Sequence, residues 1–374
     1  MLQQTPLVEV LADPERAAAV AGLIYNSDSD PGISRVKCGT GFSYKGVDGK
    51  RIADPATLAR IRKLALPPAW TKVWISANPR GHLAATGFDV KGRKQYRYNP
   101  AFVAVRDAAK FEHVIAFAEG LPALRARIAD DMKRTGLPRE KVLATVVYLL
   151  EHTLSRVGNE SYAKDNNSFG LTTLRNRHVK VDGGELKFLF TGKSGKTWKL
   201  AVANRRVAKV VRACQELPGQ NLFEYRSADG AVERIGSTDV NDYLREITGM
   251  TVSAKDFRTW FGTVEAAIAL AALHEEGVKP TKKNLKAAIE RAAERLRNTV
   301  SICRKCYVHP EISLAYEAGE FGLPDVAPSQ GLSADEARVL AFLKLRSSQN
   351  RNQAGRIRRR LPRAGSGTPS RPPA

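Results

Sequence analysis

Cysteine is scarce in this chain. Four are scattered through 374 residues, at Cys38, Cys214, Cys303 and Cys306, too few and too dispersed for a disulfide framework. Cys303-Arg-Lys-Cys306 followed by His309 looks like half a zinc site. A structural zinc needs about four ligands and no companion pair stands elsewhere, so two ordinary thiols are expected. No apolar run reaches the ~18 residues that would span a bilayer, which excludes a transmembrane helix. Met1 to Val20 lacks the basic-then-apolar order of a signal peptide, so a cytosolic protein is expected. Gly192-Lys-Ser-Gly-Lys196 lacks the spacing of a phosphate-cradling P-loop. No acidic cluster suited to Mg²⁺ stands out.

Acids are in the minority. Sixty Lys and Arg against 38 Asp and Glu leave a net charge of +22. Eight arginines and no acid lie between Arg346 and Ala374, so most of the excess belongs to the body of the chain. Such a charge calls for a polyanion, either nucleic acid or an acidic membrane surface. A merely solvated surface usually balances its signs, and nucleic acid is the expected partner.

The length suits about two domains. Residues 31–100 read as β-rich, with glycines punctuating short β-branched or aromatic segments. Asp54 to Leu64 reads as one short helix, and Lys72–Ser76 with Gly81–Gly87 as a hairpin. From Phe102 the period turns helical. Val142, Val146, Leu149, Leu150 and Leu154 form an apolar stripe over Glu140 to Arg156. Three strands follow, over 177–181, 186–191 and 197–203, the last two joined by a turn at 192–196. Ser253 with Asp256, Thr281, and Ser333 with Glu336 are helix starts, and Gly277 is a helix stop. The expected fold is α+β. A small β-rich domain (1–101) precedes a mostly helical domain (102–330) with a three-stranded β-hairpin sheet, then a C-terminal helix with a basic disordered tail (331–374). Disorder is expected from about Gln349 on.

Several segments carry more polar function than packing needs. Leu154-Ser-Arg156-Val-Gly-Asn159-Glu-Ser-Tyr162-Ala-Lys164 puts an arginine, a glycine break and a tyrosine at the end of an apolar helix. The 192–196 turn bears Lys193 and Lys196. Lys255-Asp-Phe-Arg258-Thr-Trp260 puts an arginine in a first helical turn, and Asn298-Thr-Val-Ser-Ile-Cys-Arg-Lys-Cys-Tyr307 follows.

In this order Arg156, Lys193, Arg258, Asn298 and Tyr307 resemble the catalytic pentad of the type IB DNA topoisomerases, most closely the bacterial, poxvirus-like branch. Leu66-Pro-Pro-Ala-Trp70, Ala85-Thr-Gly-Phe-Asp89 and Gly92-Arg-Lys-Gln-Tyr-Arg-Tyr98 also resemble that branch, so the likeness runs from about Cys38 to Pro310. The chain departs from the poxvirus and eukaryotic relatives at Asn298, where those carry histidine. An amide still donates to a phosphoryl oxygen but cannot become cationic.

The resemblance implies a monomer acting as a C-shaped clamp on supercoiled duplex DNA, in the cytoplasm on the nucleoid. It implies transient single-strand cleavage through a 3′-phosphotyrosyl bond, without ATP, metal or cofactor. Tyr307 would be the nucleophile, Arg156, Arg258 and Asn298 the clamp on the non-bridging oxygens, and Lys193 the general acid for the 5′-hydroxyl. These types suit a reaction that is largely positioning and electrostatic stabilisation. Arg93, Lys94, Gln95, Tyr96 and Tyr98 would touch DNA, as would Asn159, Tyr162 and Lys196. A tyrosine recombinase shares the order Arg, Lys, Arg, Tyr, but usually shows His-x-x-Arg before the tyrosine, where this chain has Lys255-Asp-Phe-Arg258. A non-catalytic nucleoid protein would fit the charge and leave the ordered set unexplained.

Overall fold

The computed structural model describes residues 13–327 and 329–360. It divides into two compact units, which part between His113 and Val114.

The first unit is built on a five-stranded antiparallel sheet in the order β2-β1-β3-β4-β5: β1 (Gly32–Cys38), β2 (Gly41–Lys45), β3 (Thr71–Ser76), β4 (Leu83–Phe88) and β5 (Lys94–Tyr98). Two short helices accompany it, α1 (Pro14–Val20) and α2 (Pro55–Lys63). Both start on an aspartate cap followed by proline, Asp13 and Asp54, where the missing proline N–H costs nothing. Ile33, Ile61, Val73, Ile75 and Ala85 form the sheet's core. β5 pairs with β4 alone, so this edge strand keeps its outer side free, and four of its five residues are exposed.

A long helix, α3 (Pro100–Asp131), carries the boundary between the units. The second unit is mostly helical. α4 (Arg139–Thr153) and α8 (Ala254–Glu275) are buried nearly all round, the signature of helices at the centre of a core. Around them stand α5 (Glu160–Asn166), α6 (Arg205–Gln215), α7 (Ser237–Thr248), α9 (Lys282–Arg295), α10 (Val300–Cys306), α11 (Pro310–Glu317) and α12 (Ala334–Arg360). A two-stranded ribbon, β9 (Glu224–Arg226) with β10 (Val232–Arg234), lies between α6 and α7 in the chain. The antiparallel sheet β6 (Val179–Asp182), β7 (Glu185–Thr191) and β8 (Thr197–Ala203) covers one side. Its alternating Leu186, Phe188, Phe190 and Trp198 face inward, as a two-residue period requires.

The α+β architecture agrees with the pattern read from the sequence, including the β-rich first unit and the three-stranded sheet. Two boundaries differ. α4 stops at Thr153, because Leu154 takes a left-handed conformation (φ 53°), so Arg156 lies in the following loop rather than on the helix. α12 continues to Arg360, past Gln349 where disorder is expected. The rest of the tail, residues 361–374, lies outside the described residues. Among the described residues no helix is long and apolar enough to cross a membrane.

Candidate active site

Four chain segments converge on one cavity of about 310 Å³ in the second unit. The first is the loop after α4. Its backbone is held from outside: Leu171 N–H donates to Arg156 O at 2.9 Å and Thr172 N–H to Val157 O at 2.7 Å. Gly170 packs so closely on this loop that a Cβ there would lie 2.5 Å from Gly158 N and 2.6 Å from Arg156 O. Close glycine contact therefore sets where the Arg156 backbone runs.

The second segment is the start of α8. Asp256 accepts from the Ser253 N–H at 2.8 Å, closing the capping box and anchoring the first turn. Arg258 follows and is only 3% exposed. It donates through Nη1 to Leu154 O and through Nη2 to Leu296 O, the latter at 2.8 Å. These carbonyls are the caps that end α4 and α9, where the helix dipoles favour a cation. Each also lies two residues before another residue of interest, Arg156 and Asn298. Arg258 thus ties together the two loops that carry them.

The third segment runs from α9 through α10. Arg297 turns the chain with φ 49°, Thr299 caps α10, and Tyr307 is the cap at its other end. Tyr307 is half-buried, with its ring centroid 5.1 Å from Arg258 Cζ. Its carbonyl accepts from Thr263 Oγ1 at 3.3 Å, which ties it to α8. Asn298 Oδ1 accepts from Arg156 Nη2 at 3.1 Å. Asn298 Nδ2 and Arg258 Nε are both enclosed and have no hydrogen-bond partner.

The fourth segment is the β7–β8 turn, where Ser194 and Gly195 take positive φ of 64° and 72° and hold Lys193 out at the tip. Lys193 is exposed, with Nζ 5.9 Å from the Tyr162 ring centroid.

Arg156, Lys193, Lys255, Arg258 and Tyr307 line the cavity together with Asn159 and Tyr162, and no carboxylate is among the lining residues. Burial lowers the pKa of the Arg258 guanidinium, Tyr307 opposes that shift, and the like charge of Arg156 adds to it. An arginine titrates so high that this lowering still leaves Arg258 charged. The arrangement is a set of cations with no carboxylate among the lining residues, beside a phenol.

The sequence reading gave Lys255 no role, although it stands three residues before Arg258 in a segment already singled out. Three apart on a helix is one face, and that was the available signal. Asn159 caps α5, its Oδ1 accepting from Tyr162 N–H at 3.1 Å. Lys196, itself exposed, donates to Arg297 O at 3.3 Å, so it holds the hairpin tip to the Asn298 loop.

The remaining expected DNA contacts lie on β5 and, for Arg93, just before it in the first unit. Tyr96 and Tyr98 are 49% and 43% exposed, with rings stacked at 6.2 Å, and Tyr98 also lies against Phe102 at 5.5 Å. The polar residues are tethered. Arg93 donates to Asp89 Oδ2 through Nε and Nη2 at 2.9 and 2.6 Å, and Gln95 Nε2 donates to the same oxygen at 3.1 Å. Lys94 pairs with Asp28 at 2.6 Å. Lys94 holds the Asp28 carboxyl below its ordinary value, outweighing the opposing effect of burial.

Residues 93–317 match the family model for the catalytic core of eukaryotic DNA topoisomerase I, which is more than half of the chain. Residues 41–89 match the N-terminal domain of bacterial DNA topoisomerase IB. The chain belongs to the type IB DNA topoisomerase family. Among curated relatives, DNA topoisomerase 1B of Acanthamoeba polyphaga mimivirus is 32% identical over 285 residues, covering 74% of this chain and 85% of the relative. DNA topoisomerase 1B of vaccinia virus (strain Copenhagen) is 23% identical over 245 residues, 64% of this chain and 73% of its own. DNA topoisomerase 1 of rabbit fibroma virus is 22% identical over 231 residues, 60% and 69% respectively. This topoisomerase is therefore an isomerase of type IB, with DNA as its partner, and its cavity lies wholly within the stretch that matches the catalytic core.

Proposed function

We propose that this topoisomerase relaxes supercoiled duplex DNA by cutting one strand with Tyr307 and resealing it, without ATP or metal. One observation carries the reading: Tyr307 faces the same cavity as Arg156, Lys193, Lys255 and Arg258, with no carboxylate among them. In-line attack by the phenolic oxygen, whose proton leaves to solvent, on a backbone phosphorus forms a 3′-phosphotyrosyl bond and breaks the bond to the 5′ oxygen. Charge builds on the non-bridging oxygens. Arg156 and Arg258 present fixed, permanently charged donors to those oxygens and supply the positive charge that a metal would otherwise bring. Asn298 adds an N–H: its Oδ1 is taken by Arg156, so its Nδ2 is left to donate. Lys193 gives a proton to the departing 5′ oxygen and takes it back on resealing. The phosphotyrosyl ester conserves the energy of the broken phosphodiester, so rejoining needs no nucleotide.

Lys193 carries its ammonium on a long side chain at an exposed tip, suited to follow the phosphate into the groove. Tyr96 and Tyr98 on β5, with Arg93, Lys94 and Gln95, are read as contacts of the first unit with the duplex. Asn159 and Tyr162 border the cavity and are read as contacts next to the cleaved phosphate. In this reading a monomer closes on the duplex as a clamp and works in the nucleoid, and the basic surface slows rotation of the cut end.

The test is relaxation of supercoiled plasmid with EDTA present and ATP absent, comparing the native protein with Tyr307→Phe. Relaxation by the native protein, with a variant that binds DNA but leaves it supercoiled, is the expected result. Relaxation by the variant, or failure of both while both bind, overturns the tyrosine mechanism.

A further inference from the structure

The turn that carries Lys193 is locked to the loop that carries Asn298 at two points, and both pass through Arg297. Arg297 follows α9. Its N–H donates to Glu294 O at 3.0 Å and the Asn298 N–H to Ala293 O at 2.9 Å, so a Schellman motif closes the helix. In that motif the residue after the cap turns left-handed, and Arg297 does so at φ 49°. Glycine is the usual choice there, because a Cβ makes this conformation costly. A chain keeps such strain where the surroundings over-determine it. The surroundings of Arg297 do so. Its carbonyl accepts from Lys196 Nζ at 3.3 Å. Its guanidinium carbon lies 5.6 Å from the Trp198 ring centroid, within the ~6 Å reach of a cation–π contact.

Lys196 and Trp198 form the other half of this interlock, on the turn and on β8. Trp198 is buried. It pairs across the ladder with Phe190, the rings 6.0 Å apart and nearly parallel. Gly192 sits so near the indole that a Cβ there would lie 2.6 Å from Nε1. The turn itself is closed by the Gly192 N–H, which donates to Lys196 O at 2.8 Å. Lys193 lies inside that closed turn, so a displacement of Lys196 is passed to the Lys193 backbone. Across the interlock, Asn298 follows Arg297 directly. Leu296 precedes it and gives its carbonyl to Arg258 at 2.8 Å. The hairpin tip, Asn298 and Arg258 are thus joined through the stretch 296–298.

We propose that Lys196, Arg297 and Trp198 are positioning residues, which aim the ammonium of Lys193 at the departing 5′ oxygen by fixing the hairpin tip on the Asn298 loop. This rests on the reading of Lys193 as the general acid. The Lys193 side chain is long and its tip exposed, so its aim comes from the backbone beneath it. Misplacing a reacting group by about 1 Å can cost on the order of 10²-fold in rate. If Lys196 served instead as a direct phosphate contact, its loss would weaken DNA binding rather than proton transfer.

The test compares Lys196→Ala, Lys196→Arg, Arg297→Gly and Lys193→Ala with the native protein, all as the full chain. Single-turnover cleavage is followed at saturating protein, on ordinary duplex and on duplex whose scissile 5′ oxygen is replaced by sulfur. With sulfur the P–S bond breaks and the group departs as a thiolate. A thiol titrates at about 8.5, far below an alcohol, so its departure needs no proton. Lys196→Ala and Arg297→Gly should each slow cleavage of ordinary duplex by about tenfold, and recover to within about twofold of native on the sulfur duplex. Lys196→Arg should keep the native rate, because a guanidinium can donate to the same carbonyl. Arg297→Gly should melt at or above the native temperature, since glycine relieves the left-handed strain, so its loss of rate is not a loss of fold. Equal slowing on both duplexes, or none on either, overturns the proposal, and so does a loss confined to affinity. Lys193→Ala separates this from the parent reading. If sulfur rescues Lys193→Ala, any of those results overturns the interlock alone. If sulfur fails to rescue it, Lys193 is not the acid and the interlock falls with it.

Discussion

Arg156 donates to the side-chain oxygen of Asn298, 142 residues further along the chain, at 3.1 Å. Arginine has no acceptor, so this contact sets the orientation of the amide. The oxygen faces Arg156 and the NH₂ group is left enclosed without a partner. A histidine would offer a charged donor at this place, whereas the amide offers a neutral one. Replacing Asn298 by alanine should therefore slow single-turnover cleavage by about tenfold, against a loss on the order of 10²–10³ for Arg258→Ala, the range found when a preorganised donor is removed. Quenched-flow measurement of covalent adduct formation checks the ranking, and equal losses would make Asn298 a full partner. Asn298→Asp should be worse than Asn298→Ala, because its carboxylate would compete with phosphate for Arg156.

Gly170→Ala tests the support of the Arg156 loop. The new methyl would meet backbone atoms of Gly158 and Arg156 at 2.5–2.6 Å, and backbone cannot swing aside as a side-chain tip can. Overpacking of this kind costs about 1–3 kcal/mol. Urea unfolding should show that loss, and adduct formation should fall further than DNA binding does. A stable, fully active variant would mean that the loop does not depend on this contact.

Gly262→Ala applies the same logic to Tyr307, the proposed nucleophile. A Cβ there would lie 2.8 Å from Tyr307 O and 3.0 Å from Leu296 Cδ1. The end of α10 should be pushed off α8, with cleavage slowed at unchanged affinity for duplex. Loss of affinity with cleavage intact would point away from Tyr307.

Asp89→Asn separates charge from orientation on β5. Removing an acid from the surface proposed to face DNA should raise affinity for random duplex. Freeing Arg93 and Gln95 from their shared oxygen should blur the choice of cleavage sites. Both can be read from anisotropy and a cleavage map of an end-labelled fragment. An unchanged map would leave Asp89 a turn-former only, since its other oxygen already accepts from the Lys91 and Arg93 N–H groups.

Glu336 provides a pH prediction. Burial pushes its carboxyl up, but Arg125, the Ser333 N–H and the Trp260 indole together outweigh that and leave it below its ordinary value. A carboxylate depressed in the folded state contributes stability above its unfolded value, near 4.5, and loses it as pH falls through the folded one. Glu336→Gln should therefore be less stable than the native protein at pH 7, by about 2 kcal/mol for the lost charged hydrogen bonds to Arg125, which keeps Glu151 as its other carboxylate partner at 2.6 Å. The gap should close below pH 4 in denaturant titrations. A gap that stays constant with pH would exclude the ion pair as its source.

Much of the fold was legible along the chain because its signals are local. The two-residue alternation of Leu186, Phe188 and Phe190 names a strand with one buried face. Ser253 with Asp256, and Ser333 with Glu336, name helix starts that the capping bonds reproduce. The end of α4 was missed because the apolar stripe includes Leu154, which is indeed buried but in a left-handed cap. Burial period does not distinguish the last helical residue from the cap beyond it.

The sequence alone determined the basic charge, the α+β order of elements, and which residues in which order carry the family likeness. These depend on composition and on spacings of a few residues. Tertiary structure decided how they are used. It put Lys196 onto Arg297 O, gave Arg93, Lys94 and Gln95 acidic partners, and brought Lys255 to the cavity. It also placed Arg258 across the ends of two helices that are more than a hundred residues apart in the chain. Such contacts depend on how α4, α8 and α9 pack, and packing joins residues whose separation along the chain carries no local signal.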